Sequence, residues 1–212
     1  GRFSVKEKKM ERKERVLTAR EEKRKAEFAV TSGKLTAQGY ERKDLTVSVV
    51  QANLGALLMT PFCLIGAFLY LEKYGFSRCV VRFDTWLAFF VGSLALCVVH
   101  ELIHGICWGI FAENHRKSIE FGIIWSMLTP YCTCRDPLKK GQYIFGGVMP
   151  TVMLGFGLTA VSIVTGSFFL FLLGEAMFLG GGGDFLILLL ILRRAPKSRE
   201  VLFLDHPYEC GV

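Results

Sequence analysis

The sequence lacks a recognisable cysteine framework. Its seven Cys include no C-x-x-C, and an odd number scattered over apolar runs and loops excludes a zinc ribbon and gives no disulfide framework. The lone C-x-C, Cys132 and Cys134, fits either a metal or redox role or reduced thiols in a reducing compartment. No secretory signal peptide is expected, since the basic start runs into more charge and not into a short apolar core with a cleavage site. The first membrane-crossing segment is then expected to act as its own signal. Charge is scarce further along: residues 1–45 hold 14 Lys or Arg against 8 Asp or Glu, which is +6 of the formal +7. Basicity is confined to that segment, so no nucleic-acid partner is expected. Apart from it and Gly180-Gly181-Gly182-Gly183 there is no repeat or low-complexity tract, which excludes a repeat architecture.

What the chain does have is apolar length. Hydrophobic residues make up 51% and mean hydropathy is +0.37, more than a soluble domain usually carries. Four apolar segments, at about 48–71, 85–111, 144–165 and 168–192, each come near or exceed the ~20 residues a helix needs to cross hydrocarbon. Thr165-Gly166-Ser167 separates the last two, with a boundary near Gly174-Glu175 as the alternative. The fold expected is an all-α membrane protein of about four transmembrane helices. A charged helix over residues 4–28 precedes them, with Glu7/Glu11/Arg15 and Glu21/Lys25 at helical spacing. It is expected to be solvated, or drawn to anionic lipid by its positive charge.

Residues 118–125 are short, apolar and β-prone, and Thr129-Pro130 signals a turn. This loop is expected either to hold substrate as an added strand or to anchor at the interface through Trp125 and Tyr131. Of the Lys and Arg after residue 45, Arg116, Lys117, Arg135, Lys139 and Lys140 lie between the second and third segments, and Arg193, Arg194, Lys197 and Arg199 after the fourth. Only Lys73, Arg78 and Arg82 lie in the opposite loop, so both termini and the 113–142 loop are expected in the cytoplasm, the chain being a multi-pass protein of the cell membrane. The expected division is a charged cytoplasmic segment 1–45, a membrane-embedded metallopeptidase-like domain 46–194 and a cytoplasmic tail 195–212.

The second apolar segment holds two of the four histidines, in His100-Glu101-Leu102-Ile103-His104. On a helix, residues i and i+4 share a face, so both imidazoles can reach one Zn²⁺ while Glu101, about 100° round, can act as general base toward a metal-activated water. Ser93, Cys97, His100, His104, Cys107 and Phe111 form one stripe expected to face the interior, with Val91, Val98, Leu102 and Gly109 opposite. The alternative is a pair of buried imidazoles bonded to backbone carbonyls of neighbouring helices. Glu101 resists a structural explanation, because an unpaired carboxylate at this depth is costly.

A catalytic zinc site has three protein ligands and an open position. The continuation H-E-x-x-H-x-x-G-x-x-H fails, since Cys107 and Ile110 stand where Gly and His are required, and Glu113 and Glu120 lie beyond the span. Asp184 is the better candidate. His104 lies ten residues before Asn114 and Asp184 nine before Arg193, so both sit roughly 14 Å from the same surface. The four preceding glycines weaken the helix and allow close backbone approach, and a break there gives substrate and water a place beside the metal. Alternatively Asp184 caps a half-helix starting at Phe185. Glu175 lies too near the opposite surface to join, and His115 and His206 read as surface histidines.

With these residues in view, the chain resembles the site-2-like membrane zinc metalloproteases, and more narrowly a small four-span family of zincin peptidases catalogued as a domain of unknown function. The likeness covers about residues 47–210. It is carried by His100-Glu101-Leu102-Ile103-His104-Gly105, by Leu128-Thr129-Pro130-Tyr131-Cys132 with Pro137-Leu138, by the span around Pro150 and by Gly183-Asp184. It implies Zn²⁺ held by His100, His104 and Asp184, with Glu101 catalytic. Site-2 proteases carry their third ligand in a Leu-Asp-Gly setting, often after Asn-Pro, whereas here Asp184 follows four glycines and precedes Phe185; no periplasmic recognition module is inserted. The function expected is a membrane-embedded zinc-dependent peptidase acting on a protein or peptide substrate. The alternative is a catalytically inactive metal-binding membrane protein or a transporter-like substrate-handling protein, and an almost wholly apolar midplane disfavours transport.

Overall fold

The computed structural model describes residues 18–80, 82–124, 129–196, 200–207 and 210–212. The helical pairs expected around Glu7, Glu11 and Arg15, the anchoring role of Trp125 and the motif residue Leu128 lie outside these residues.

Helix α1 (Ala19–Ala37) comes first, opened by a capping box in which Thr18 and Glu21 bond reciprocally. After the short strand β1 (Thr46–Val47), Ser48 and Gln51 form a second capping box that starts α2 (Val49–Leu54). This helix continues through a 3₁₀ segment (Gly55–Met59) into α3 (Thr60–Tyr74) and stops at Gly75, whose φ of 68° suits glycine. After a 3₁₀ turn (Phe76–Arg78) comes α4 (Phe83–Phe111), itself unbroken over 29 residues. Strands β2 (Ile119–Ile124) and β3 (Thr129–Cys134) pair antiparallel, and β4 (Leu138–Lys139) leads into α5 (Lys140–Pro150). A π-helical segment (Thr151–Phe156) continues that helix into α6 (Gly157–Thr165). Left-handed Gly166 and the N-cap Ser167 then reverse the chain into α7 (Phe168–Gly180). Helix α8 (Gly182–Arg194) completes the fourth span at a 42° bend to α7, and β5 (Leu202–Phe203) and β6 (Cys210–Gly211) lie in the tail.

Val50–Tyr74, Phe83–Phe111 and Lys140–Thr165 are long and apolar enough to cross a membrane, and the bent pair α7–α8 makes a fourth candidate span. Their outer surface supports that reading. Leu57, Leu94 and Val164 are 68%, 66% and 76% exposed, and such residues run along the helices, as a surface that faces lipid requires. The chain is an all-α membrane protein with small sheet elements. The tight turn at Gly166 is where sequence placed it, and α7 runs unbroken through Gly174-Glu175.

Thr129 and Pro130 differ from expectation. They open β3, not a turn, with Pro130 opposite Ile123. In a two-stranded ribbon a proline is tolerated where its missing N–H faces away from the partner. The tail is not a free appendage either: β6 pairs with β1 and β5 with β4, tying Cys210–Gly211 to the start of the first span and Leu202–Phe203 to the start of the third. One buried cluster sits at this basic end, around Trp108, Cys134, Leu138, Tyr143, Ile191 and Phe203. A second lies within the spans, around Ile103, Cys107, Leu154 and Met177.

The charged helix is docked and not simply solvated. No residue of α1 is fully buried, yet Arg20 Nε lies 2.6 Å from Glu120 Oε1 and Arg20 also donates to the Phe121 carbonyl at 2.8 Å. Glu120 is paired again by Arg135 at 2.7 Å, Arg135 reaches Glu27 at 3.2 Å, and the Arg24 guanidinium lies over the Tyr131 ring. The hairpin is therefore sandwiched between α1 and α4. Burial pushes the Glu120 carboxyl up, but the hydrogen bonds from Arg135 and Arg20 outweigh it and hold the group below the ordinary carboxylate range. A depressed carboxyl contributes stability above its ordinary pKa and loses it as pH falls through the depressed value. Amide exchange over residues 19–37 is accordingly expected to be slow at neutral pH and, once corrected for chemical exchange, to quicken as pH drops below about 4. Glu120→Gln should weaken the docking by about 1–3 kcal/mol at neutral pH. Exchange insensitive to both pH and substitution would refute this account of α1.

Candidate metal centre

Because α4 is a regular helix, His100 and His104 stack one turn apart with ring centroids 4.9 Å from each other, and both are buried. Asp184 meets them from the first turn of α8. Its Oδ2 lies 2.9 Å from His100 Nε2 and 3.4 Å from His104 Nε2, and the two Nε2 atoms are 3.2 Å apart. Ligand atoms about 2.0–2.1 Å from a tetrahedral zinc stand roughly 3.3 Å from one another, so the three edges outline one face of such a tetrahedron. Among the described residues this is the group of His, Cys, Asp and Glu side chains able to hold a metal ion. The donor set also suits zinc: two imidazoles and one carboxylate, with a fourth corner left for water.

The tautomer of His104 follows from its other nitrogen. Nδ1–H donates to the Gly146 carbonyl at 2.9 Å, which leaves the Nε2 lone pair facing the site. Gly146 can come this close because it has no side chain; a Cβ there would overlap the Trp108 ring. Trp108 stacks on His104 at 4.8 Å and 16°, and on Tyr143 at 5.2 Å and 21°, while its indole N–H donates to the Tyr143 carbonyl at 3.1 Å. The Tyr143 hydroxyl donates to Asp205 Oδ1 at 2.8 Å, and Asp205 Oδ2 accepts from the Cys134 amide at 2.7 Å. Burial pushes the Asp205 carboxyl up to about 6, against the pull of those two donors. A ladder of rings and hydrogen bonds thus runs from His104 to the tail. Sequence reasoning missed it, although Trp108 stands four residues after His104 on the same face. Gly146 and Asp205 carry no local signal.

Asp184 is seated by the glycines before it. A Cβ on Gly182 would overlap the backbone of Gly55 and Ala56 in the first span, and one on Gly181 would overlap the Thr151 hydroxyl. Gly183 has ordinary room beside Ala52, and Gly180 faces open space. The break therefore holds packed backbone where the sequence suggested room for substrate and water. Asp184 is not an N-cap either: that position is Gly181, and Asp184 is the third residue of α8.

Glu101, between the two histidines, is close enough to Asp184 and His100 to feel their charges, and its carboxylate also faces the Cys132 backbone N–H of β3. The interior stripe of α4 holds for His100, His104 and Cys107, and Val91, Val98 and Leu102 are exposed as expected. Gly109 is buried instead, because Ile119 of the hairpin covers it, and Phe111 is exposed. Burial pushes the Cys134 thiol up to about 12 and raises Cys132 as well. Reactive and redox thiols need the opposite shift, and among the described residues neither cysteine belongs to a group able to hold a metal ion. Glu175 lies apart, with one carboxyl oxygen enclosed against Gly66 and Thr159. His115 is exposed and bonds the Gly109 carbonyl at 3.1 Å. His206 is not a surface residue: it is buried, its ring 5.9 Å from Phe28 of α1.

Residues 93–199, half of the chain, match a family model described as a putative zincin peptidase. No curated protein and no solved structure matches the chain.

The two ends of the glycine run give a test of how Asp184 is held. Gly182→Ala forces backbone apart and is expected to cost about 1–3 kcal/mol and to lower zinc retention against a chelator. Gly180→Ala is expected to leave both unchanged. Melting temperature and metal content of the purified variants decide it, and equal behaviour of the two would show that the Gly55 contact does not seat Asp184.

Proposed function

The chain belongs to the putative zincin peptidase family, and from that premise we propose that it is a membrane-embedded zinc endopeptidase of the site-2 type, with zinc held by His100, His104 and Asp184 and Glu101 as general base. The observation that carries this is the triangle of donor atoms at 2.9, 3.2 and 3.4 Å, closing on one point from two helices far apart in sequence. Zinc in such a site supplies a Lewis acid that acidifies a water and polarises a peptide carbonyl.

The chain's own groups do the rest. The Gly146 carbonyl holds His104 in the tautomer that presents Nε2, and Asp184 supplies the negative charge of the donor set. Glu101, on the helix between the two histidines, takes a proton from the attacking water and returns it to the leaving amine nitrogen. Its place beside Cys132 also suggests how a peptide lies. Arg135 N–H donates to the Ser118 carbonyl, so pairing alternates along the hairpin and the main-chain groups of Cys132 and Cys134 point away from β2. Cys134 spends its amide on Asp205. The Cys132 N–H faces Glu101, which leaves the Cys132 carbonyl as the group with which an extended substrate pairs on β3 next to that base. The Lys and Arg distribution supports an orientation in which the hairpin and both termini are cytoplasmic.

Cleavage of a model membrane substrate by wild-type and Glu101→Gln protein, matched for zinc content, tests the assignment. A loss of about 10²–10⁴-fold is expected, with zinc retained. Equal rates at equal zinc would reduce the protein to a metal binder.

A further inference from the structure

The first and fourth spans touch backbone to backbone at Gly55 and Gly182, and toward the basic end they leave a groove of about 340 Å³ between them. Two helix stripes form its walls: Leu54 and Leu58 from the first span, Leu186 and Leu190 from α8. Arg194, Gln51 and Thr46 stand at its mouth. Leu186 and Arg194 are eight residues apart on one helix, so the groove extends roughly 12 Å into the apolar zone.

The mouth is built of donors. Arg194, the last residue of α8, is exposed and has no acidic partner among the described residues, and no carboxylate lines the groove. The Gln51 side-chain oxygen is already taken, accepting from the Ser48 amide at 2.9 Å, which leaves its NH₂ to donate. The body is hydrocarbon-like and open to the outer surface, with Leu54 56% exposed. A free anion would satisfy the mouth and leave the leucines uncovered. An apolar helix would cover the leucines and leave Arg194 unpaired.

We propose that this groove binds one anionic phospholipid, its phosphate at Arg194 and Gln51 and an acyl chain between Leu58 and Leu190. Basic pockets between spans at the membrane surface hold lipid headgroups by this combination of charge and apolar contact. The occupant would lie across the two spans whose contact precedes Asp184 by two residues. The assignment does not depend on the peptidase reading.

The test is native mass spectrometry of the full chain released from micelles containing phosphatidylglycerol or phosphatidylcholine. Wild type is expected to retain one phosphatidylglycerol in preference to phosphatidylcholine. Arg194→Gln is expected to lower that retention about fivefold, as the loss of one basic contact implies, while Arg193→Gln, a charge outside the groove lining, leaves it unchanged. Leu190→Trp, which fills the groove, is expected to abolish the bound lipid. Equal losses for the two arginine variants would mean diffuse charge attraction and overturn the site. So would full retention by Leu190→Trp, which would mean annular lipid only, or displacement of the lipid by glycerol 3-phosphate alone, which would mean a soluble-anion site.

Discussion

Two imidazoles and a carboxylate have to meet inside a bundle whose outer surface is hydrocarbon-facing, and each would cost several kcal/mol if left without a partner there. That meeting constrains the helices around it. Helix α5 packs against both α4 and α8, and it can do so because Gly146 lies against Trp108 and Gly147 against Leu188. The fourth span must bend so that the start of α8 turns toward α4, and the bend is stabilised where Gly181 and Gly182 let Thr151 and the first span press against the backbone. The third span accommodates this with a π-helical segment directly after Pro150, which places Thr151 at the break. Small residues here serve contact; none of the glycines from 180 to 183 has a positive φ.

Outside the spans, the same site is held by elements that carry no ligand. Tyr143 and Asp205 fix Trp108, and Trp108 fixes the plane of the His104 ring. The hairpin lies on α4 because Gly105 and Gly109 leave a track for Phe121 and Ile119, and α1 locks the hairpin's far face through Glu120. Tail, hairpin and charged helix thus form a scaffold at one end of the bundle. It sets the orientation of His104 and presents β3 to Glu101.

The parts of this arrangement legible in the sequence are those with a local period. Twenty or more apolar residues give a span, and spacing of i and i+4 gives a shared face for His100 and His104. Depth counting went further, bringing Asp184 level with His104 across 80 residues of chain, because a helix in a membrane converts residue number into height. Contacts made perpendicular to the helix axes left no such trace. Nothing near Gly146 says that its carbonyl will meet a histidine, and Asp205 lies in a polar tail where an acid is unremarkable in composition. Thr129-Pro130 misled for a related reason: proline marks a turn by its own φ, but the strand it opens is set by Ile119 and Phe121 packing on α4. The charges of the N-terminal helix look solvated in sequence because the buried acid opposite them, Glu120, lies 100 residues after Arg20.

On the proposed reading, the position of Glu101 restricts where hydrolysis takes place. The base sits on the hairpin side of α4, beside Cys132, while the spaces around Gly181 and Gly182 are filled by Thr151 and the first span. Water and peptide therefore have their route from the basic end, past β3, and not through the break in the fourth span. A substrate helix would have to present an unwound segment there, since only an extended backbone can pair with Cys132 and bring a carbonyl to the site. Segments just inside the membrane surface, where helices end and backbone groups already look for partners, meet that requirement with the least unwinding.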